Sequence, residues 1–289
     1  MRKLLGFFLH FSVLSVFLAA LLMPSCQGRH PEQFSVGQDS KGLEMARLER
    51  ERDTLVGVLE QLKNDPGLKD SEIGYMIIDC TDSLPRVIAE CEPSRALIPA
   101  STLKLFVTGA ALEIFGQPIF REVMTINQLS INWRSSKLLR KIGAAVYGES
   151  SNTSGYRAIM EFWARKGLDL TGIRFDDGNG LSRNNAISPK HLVDLLYIMR
   201  NSDYFNIFYS SLPIAGYTGT MRKALLGTPA AGKVHAKTGT IAGVKSWAGY
   251  VSTNSGRNLI FAIIVNNYSC RQKEVKKKFE QVMVRMTQV

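Results

Sequence analysis

The stretch IPASTLKLFVTGAALEIFG, residues 98–116, opens with Pro-Ala-Ser-Thr-Leu-Lys and then runs apolar at helical spacing to a terminal glycine. Two readings compete for Ser101 and Lys104. In the plain one Ser101 caps a helix, a contribution of about 1 kcal/mol, and Lys104 is a solvated first-turn side chain. A lysine in the first turn opposes the helix dipole, however, and Pro99-Ala100 set Ser101 where its backbone N–H has no intrahelical acceptor. In the chemical reading the Lys104 amine reaches the Ser101 hydroxyl, because residues three apart on a helix are neighbours. A desolvated, neutral amine can take the hydroxyl proton, and a second cation nearby lowers its pKa further. The pattern alone carries little weight, since about one Ser-x-x-Lys arises by chance in a chain of this size.

The second cation is sought in VHAKTGTIAGVKSWAGY, residues 234–250. Lys237-Thr238-Gly239-Thr240 inside a strand is much rarer by chance than a lone Ser-x-x-Lys. Gly239 lets a substrate backbone lie along the strand edge. Thr238 can bind a carboxylate beside the Lys237 charge, and the Thr240 and Ser101 backbone N–H groups can form an oxyanion hole. Loss of one such donor costs about 3 kcal/mol of transition-state stabilisation. The plain alternative is an ordinary strand with an exposed lysine.

The rest of the chain sets the frame. At 289 residues and 45% hydrophobic it can bury a substantial core. The net charge of +11 fits a nucleic-acid binder, a neighbour of an anionic envelope polymer or a soluble basic surface. Nucleic acid is disfavoured, because the cations are dispersed and the one dense run, RQKEVKKKFEQ, lies on a C-terminal helix face. Arg2 and Lys3 precede an apolar run from Leu4 to Met23, which reads as an export signal, a lipoprotein signal ending at Cys26 or an uncleaved membrane anchor. Each places the remainder outside the cytoplasm. Cys80 and Cys91 lie on two arms of a hairpin without facing each other, and unpaired thiols are expected.

Residues 1–26 are thus signal or anchor, 27–40 a linker, and 41–289 a single domain. Apolar spacing predicts a helix over 43–62, then strands in IGYMIIDC and RVIAEC, then the Ser101 helix. Helices follow over 138–147, 156–166 and 189–200, with DDGNGLSRNNAISP as a Gly- and Asn-rich loop between them. KVHAKTGT, VKSWAGYVST and NLIFAIIVNNY read as three strands, and a last helix carries Val275, Phe279, Val282, Met283 and Met286 on one stripe. The expected fold class is α/β, of the α+β type: an antiparallel sheet built from both ends of the chain, flanked by terminal helices, with a helical block inserted. GTPAAGKV, residues 227–234, resembles a phosphate loop but lacks its magnesium-binding hydroxyl and following helix. The four histidines show no metal spacing, and no metal or cofactor is expected.

Ser-x-x-Lys followed by Lys-Thr-Gly is the signature of penicillin-recognising serine enzymes. The surrounding words LIPASTLKLFVTGAALEIFG, DDGNGLSRNNAISPKHLVDLL, SLPIAGYTGTMRKALLGTPAAGKVHAKTGTIAGVKSWAGYVST and LIFAIIVNNY resemble the D-alanyl-D-alanine carboxypeptidase/endopeptidase family, peptidase family S13. The resemblance runs from about Gly74 to Tyr268. It implies the β-lactamase/DD-peptidase fold and a periplasmic hydrolase acting on peptidoglycan stem peptides and inhibited by β-lactams. It also implies Ser101 as acylated nucleophile, Lys104 as general base, and Lys237, Thr238 and Gly239 as holders of the substrate carboxylate.

The family also carries a Ser-x-Asn motif on a helix facing the nucleophile. Here INWRSS runs straight into KLLRKIG, so Ser135 is taken as the motif serine and its asparagine as absent. Ser150-Ser151-Asn152, in GESSNTSG, has surface-loop composition. Only 33 residues separate Ser101 from Ser135, so the inserted domains usual to the family are missing. The expected function is a serine-type D-Ala-D-Ala carboxypeptidase or endopeptidase working through an acyl-enzyme. The alternative is a catalytically impaired relative that binds peptidoglycan without turnover; a β-lactamase or esterase is disfavoured by the neighbouring words.

Overall fold

A computed structural model describes residues 36–289. The apolar run 4–23, Cys26 and most of the expected linker lie outside the described residues. Helix α1 spans Val36–Lys63, starting at Val36 rather than at Leu43. Residues 43–289 form one compact unit, within which Leu55, Leu59 and Leu62 of α1 are buried while Leu43 is exposed.

Five strands follow the expected runs: β1 Glu72–Asp79, β2 Arg86–Cys91, β3 Val234–Ile241, β4 Val244–Ser252 and β5 Asn258–Asn266. They form one antiparallel sheet in the order β2-β1-β5-β4-β3. Strand β5 sits at its centre beside β1, so the two ends of the chain share the sheet and the helical middle is an excursion from it. The alternation of β5 divides the core. Leu259, Phe261, Ile263 and Val265 pack with Leu55, Leu59, Trp247 and Phe279 on one face. Ile260, Ala262 and Ile264 face the helical block on the other. Helix α8, Gln272–Met286, covers the first face with the stripe read from its sequence. Trp247 meets the Phe279 ring edge-on, centroids 5.6 Å apart.

The helical block holds α2 Lys104–Phe115, α3 Phe120–Leu129, α4 Asn132–Tyr147, α5 Asn152–Arg165, α6 Pro189–Arg200 and α7 Phe205–Ser211. Helix α2 is buried from Lys104 to Leu112, as expected of a helix apolar on nearly all sides. It is the central post of the block. Trp163 of α5 donates its indole N–H to the Phe106 carbonyl at 3.1 Å and so ties α5 to that post. Helices α3 and α7 were not legible as separate elements, and α4 begins at Asn132 rather than at Leu138. Ser150-Ser151-Asn152 is the start of α5, where the Ser151 hydroxyl accepts from the Ser154 N–H at 3.0 Å as a helix cap. Cys80, Cys91 and Cys270 are free thiols. Among the described residues no helix is long and apolar enough to cross a membrane.

Candidate active site

Ser101 lies in a single 3-10 turn, Ala100–Leu103, that leads directly into α2. Ala100 has φ 47, a left-handed conformation that costs a non-glycine residue about 1 kcal/mol or more. The turn is held from the sheet: Ser246 of β4 donates to the Pro99 carbonyl, and Thr102 donates to the same carbonyl at 2.8 Å. Lys104 starts α2 with its side chain completely buried, its Nζ 2.7 Å from Ser101 Oγ. The chemical reading of the opening stretch therefore describes its geometry, and Ser101 caps no helix.

Two further oxygens face the Lys104 amine. It donates to Asn132 Oδ1 at 3.0 Å and to the Asn179 backbone carbonyl. Burial drives this amine down to about 7, opposed by the negative charge of Asp177. A neutral amine has two hydrogens and one lone pair. With both hydrogens taken by Asn132 Oδ1 and the Asn179 carbonyl, the lone pair is left for the proton of Ser101.

Lys237 on β3 is the second cation, also with no exposed surface. Its Nζ donates to Ser130 Oγ at 2.8 Å and to the Thr238 carbonyl at 2.9 Å. Burial, then the charge of Lys104, pushes it well below the ordinary lysine value. Gly239 is where β3 meets the Ser101 turn: a Cβ there would stand 2.3 Å from Ser246 Oγ, 2.8 Å from the Ser101 nitrogen and 2.9 Å from the Pro99 carbonyl oxygen. Two of those obstacles are backbone and cannot move aside. The glycine serves the close approach of turn to strand, and any side chain would push Ser101 away from the strand edge.

Strand β3 is one of the two outer strands of the sheet. The Ala236 N–H donates to the Pro213 carbonyl at 3.0 Å, away from β4. By alternation the N–H groups of Thr238 and Thr240 point to that same open side. The Ser101 N–H, in its first turn, has no intrahelical acceptor. The two expected oxyanion donors, the N–H groups of Ser101 and Thr240, are thus both left without an acceptor in helix or ladder. The Thr238 hydroxyl is 2.8 Å from Thr220 Oγ1 and closes the far end of that edge.

The second serine differs from expectation. Ser135 is fully buried one turn inside α4, and its hydroxyl donates to the Gly178 carbonyl at 2.5 Å rather than meeting Lys237, whose amine goes to Ser130 and the Thr238 carbonyl. The serine held by the Lys237 amine is Ser130, and the asparagine taken as absent is Asn132, held by the Lys104 amine. Ser130-Ile131-Asn132 is a Ser-x-Asn in plain sight. It escapes periodicity because it belongs to no single element: Ser130 ends α3 with φ 57 and Asn132 begins α4. Helix α3 fixes this corner. Asn127 is buried, accepts from Thr108 of α2 at 3.2 Å and donates to Ser211 of α7 at 2.8 Å, while Gln128 donates to the Leu212 carbonyl at 2.7 Å.

Ser101, Lys104, Lys237, Thr238, Gly239 and Thr240 are brought together as expected, Ser135 is not, and Ser130 and Asn132 join them. Among the described residues no cluster of three His, Cys, Asp or Glu is placed to hold a metal.

The D-Ala-D-Ala carboxypeptidase 3 (S13) family matches residues 55–122 and 117–289. A D-alanyl-D-alanine carboxypeptidase from an Actinomadura species is 34% identical over 147 residues, which is 49% of this chain and 27% of that protein. The chain spans about a third of the length of the curated relatives it matches. Among solved structures, penicillin binding protein 4 from Haemophilus influenzae, in complex with a β-lactam, superposes with TM-score 0.69 at 15% identity over 80% of this chain and 98% of that one. The TLA-3 extended-spectrum β-lactamase gives 0.63 at 15% identity over 81% and 98%. These two show the shared fold.

Proposed function

The chain belongs to the D-Ala-D-Ala carboxypeptidase 3 (S13) family, and from that premise and the geometry of the cleft we propose that it is a serine-type D-Ala-D-Ala carboxypeptidase acting on peptidoglycan stem peptides. The supporting observation is one hydroxyl, Ser101 Oγ, 2.7 Å from a buried amine held near neutrality. Ser101 attacks the carbonyl of the terminal D-Ala-D-Ala bond while Lys104 accepts its proton. The tetrahedral oxyanion forms between the N–H groups of Ser101 and Thr240. Ser130, hydrogen-bonded to Lys237, passes a proton to the departing D-alanine amine. Lys237 and Thr238 hold the terminal carboxylate, and water then releases the acyl group from Ser101. β-Lactams are read as mimics of that peptide bond that acylate the same serine.

The non-catalytic alternative rested on a missing asparagine and a short middle. Asn132 in contact with the Lys104 amine removes the first ground. Action on the cell wall also requires export, for which the apolar run 4–23 and Cys26 supply the means. The test is covalent: a fluorescent penicillin labels the purified protein, Ser101→Ala abolishes the label, and the wild type releases D-alanine from a pentapeptide. Labelling that persisted in Ser101→Ala would overturn the assignment.

A further inference from the structure

The Gly- and Asn-rich loop DDGNGLSRNN, residues 176–185, reads as a connection in the sequence, yet it supplies a carbonyl to the Lys104 amine. Its organiser is Asp177. One carboxylate oxygen accepts from the N–H of Gly180 at 2.6 Å, the N–H of Asn179 at 3.1 Å and the side-chain amide of Asn185 at 3.0 Å. The other accepts from the Ser182 N–H at 2.7 Å. These contacts satisfy the carboxylate inside the loop and hold it below the ordinary range although burial opposes ionisation. It is a fixed negative charge, and no part of the proposed proton transfer uses it.

The loop it winds is clamped on both sides. Helix α4 holds it through Ser135, which donates to the Gly178 carbonyl, and through Ser136, whose hydroxyl accepts from the Asn179 side chain at 2.9 Å. On the other side Gly180, at φ 86, lies so close to the Ser101 turn that a Cβ would stand 2.0 Å from the Ala100 carbonyl oxygen. Between the clamps the Asn179 carbonyl has one direction to point, at the Lys104 amine.

We infer that Asp177 is a positioning residue for Lys104: by winding the 177–182 turn it aims the Asn179 carbonyl that turns the amine lone pair onto Ser101. The inference rests on the proposed role of Lys104 as base. The carboxylate also acts through its charge. The charged groups facing Lys104 are Lys237 from β3 and Asp177 from the loop, whereas α3 and α4 bring only the neutral Ser130, Asn132 and Ser135. Among the described residues Asp177 is thus the charged group that favours the protonated amine, and it partly offsets the desolvation that lowers Lys104.

The experiment measures the second-order rate of labelling by a fluorescent penicillin from pH 5 to 9 in the full domain and in Asp177→Asn and Ser136→Ala. For Asp177→Asn the expected result is a fall of roughly 10- to 100-fold at the optimum, from a misaimed base. Its acid limb should move to lower pH, since the charge that retains the amine proton is gone. Ser136→Ala keeps the charge and loosens only the Asn179 tether, so its rate should fall with the acid limb unmoved; should Asp177→Asn not fold, a wild-type rate for Ser136→Ala overturns the inference by itself. An Asp177→Asn rate and acid limb equal to wild type, or a loss of rate with the limb unmoved, overturns it as well. A wild type that is not labelled at all would instead defeat the proposed function, so the two failures are distinct.

Discussion

The site has a strand side and a helix side, and they are built in different ways. On the strand side Lys237, Thr238, Gly239 and Thr240 sit in an unbroken ladder, each paired to β4 in fixed register. On the helix side the reacting and orienting atoms come from breaks or from the first residue of a helix: the Ser101 turn with Ala100 at φ 47, leading into Lys104 of α2, the α3–α4 corner with Ser130 at φ 57, leading into Asn132 of α4, and the loop with Gly180 at φ 86. A ladder places side chains by alternation alone. A break places them only where neighbours hold it, here Asn127, Gln128 and Asp177. Ala100 and Ser130 are two of the five non-glycine residues with positive φ among the described residues, and such strain persists only where the surroundings hold it.

The largest expected effect falls on the helix side. Lys104→Ala removes the proposed base, and labelling should drop about 1,000-fold. In the wild type the rate should rise with pH through about 7, because only the neutral amine accepts a proton and burial has lowered this amine to that value. Stopped-flow labelling across pH checks both; a rate independent of pH between 5 and 9 would remove Lys104 from the reaction. The strand side responds through packing. Gly239→Ala places a methyl against two backbone atoms, so a fall of about 100-fold is expected from displacement of Ser101. The sheet ladder itself should survive. Circular dichroism unchanged beside a lost rate would sharpen the contrast, and an unchanged rate would show that the two sides do not meet at Gly239.

The same division decides what could be read from the chain. β1 to β5, α6 and α8 follow from alternation or helical spacing, because each is long enough to bury a regular face. A sheet built from both ends of the chain followed from having strands at both ends and helices between, while the pairing of β1 with β5 is seen only in the structure. Lys237-Thr238-Gly239-Thr240 was legible because its context is a strand, and Ser101-x-x-Lys104 because its spacing is one helical turn. Ser130 and Asn132 were not, although Ser-Ile-Asn is written at 130–132. Phe120 to Leu129 do carry an apolar face, with Val123 and Ile126 buried, but at ten residues the helix is short and its end falls directly on Ser130, so the boundary after Leu129 is not legible in the spacing. Without the boundary the motif serine was placed five residues late, at Ser135, which is one turn into α4 and buried against Gly178. Asp177 was hidden differently. Its contacts are with backbone N–H groups of its own loop, and these leave no periodic trace.

The most direct test of this construction compares the two serines. Ser130→Ala and Ser135→Ala are to be assayed side by side for penicillin labelling and D-alanine release. Ser130 accepts from the Lys237 amine and is the proposed proton donor to the leaving group, so Ser130→Ala should lower turnover by about 100-fold or more. Ser135 reaches only the Gly178 carbonyl, so Ser135→Ala should cost about tenfold at most. The opposite order, with Ser135→Ala inactive and Ser130→Ala near wild type, would contradict the site described.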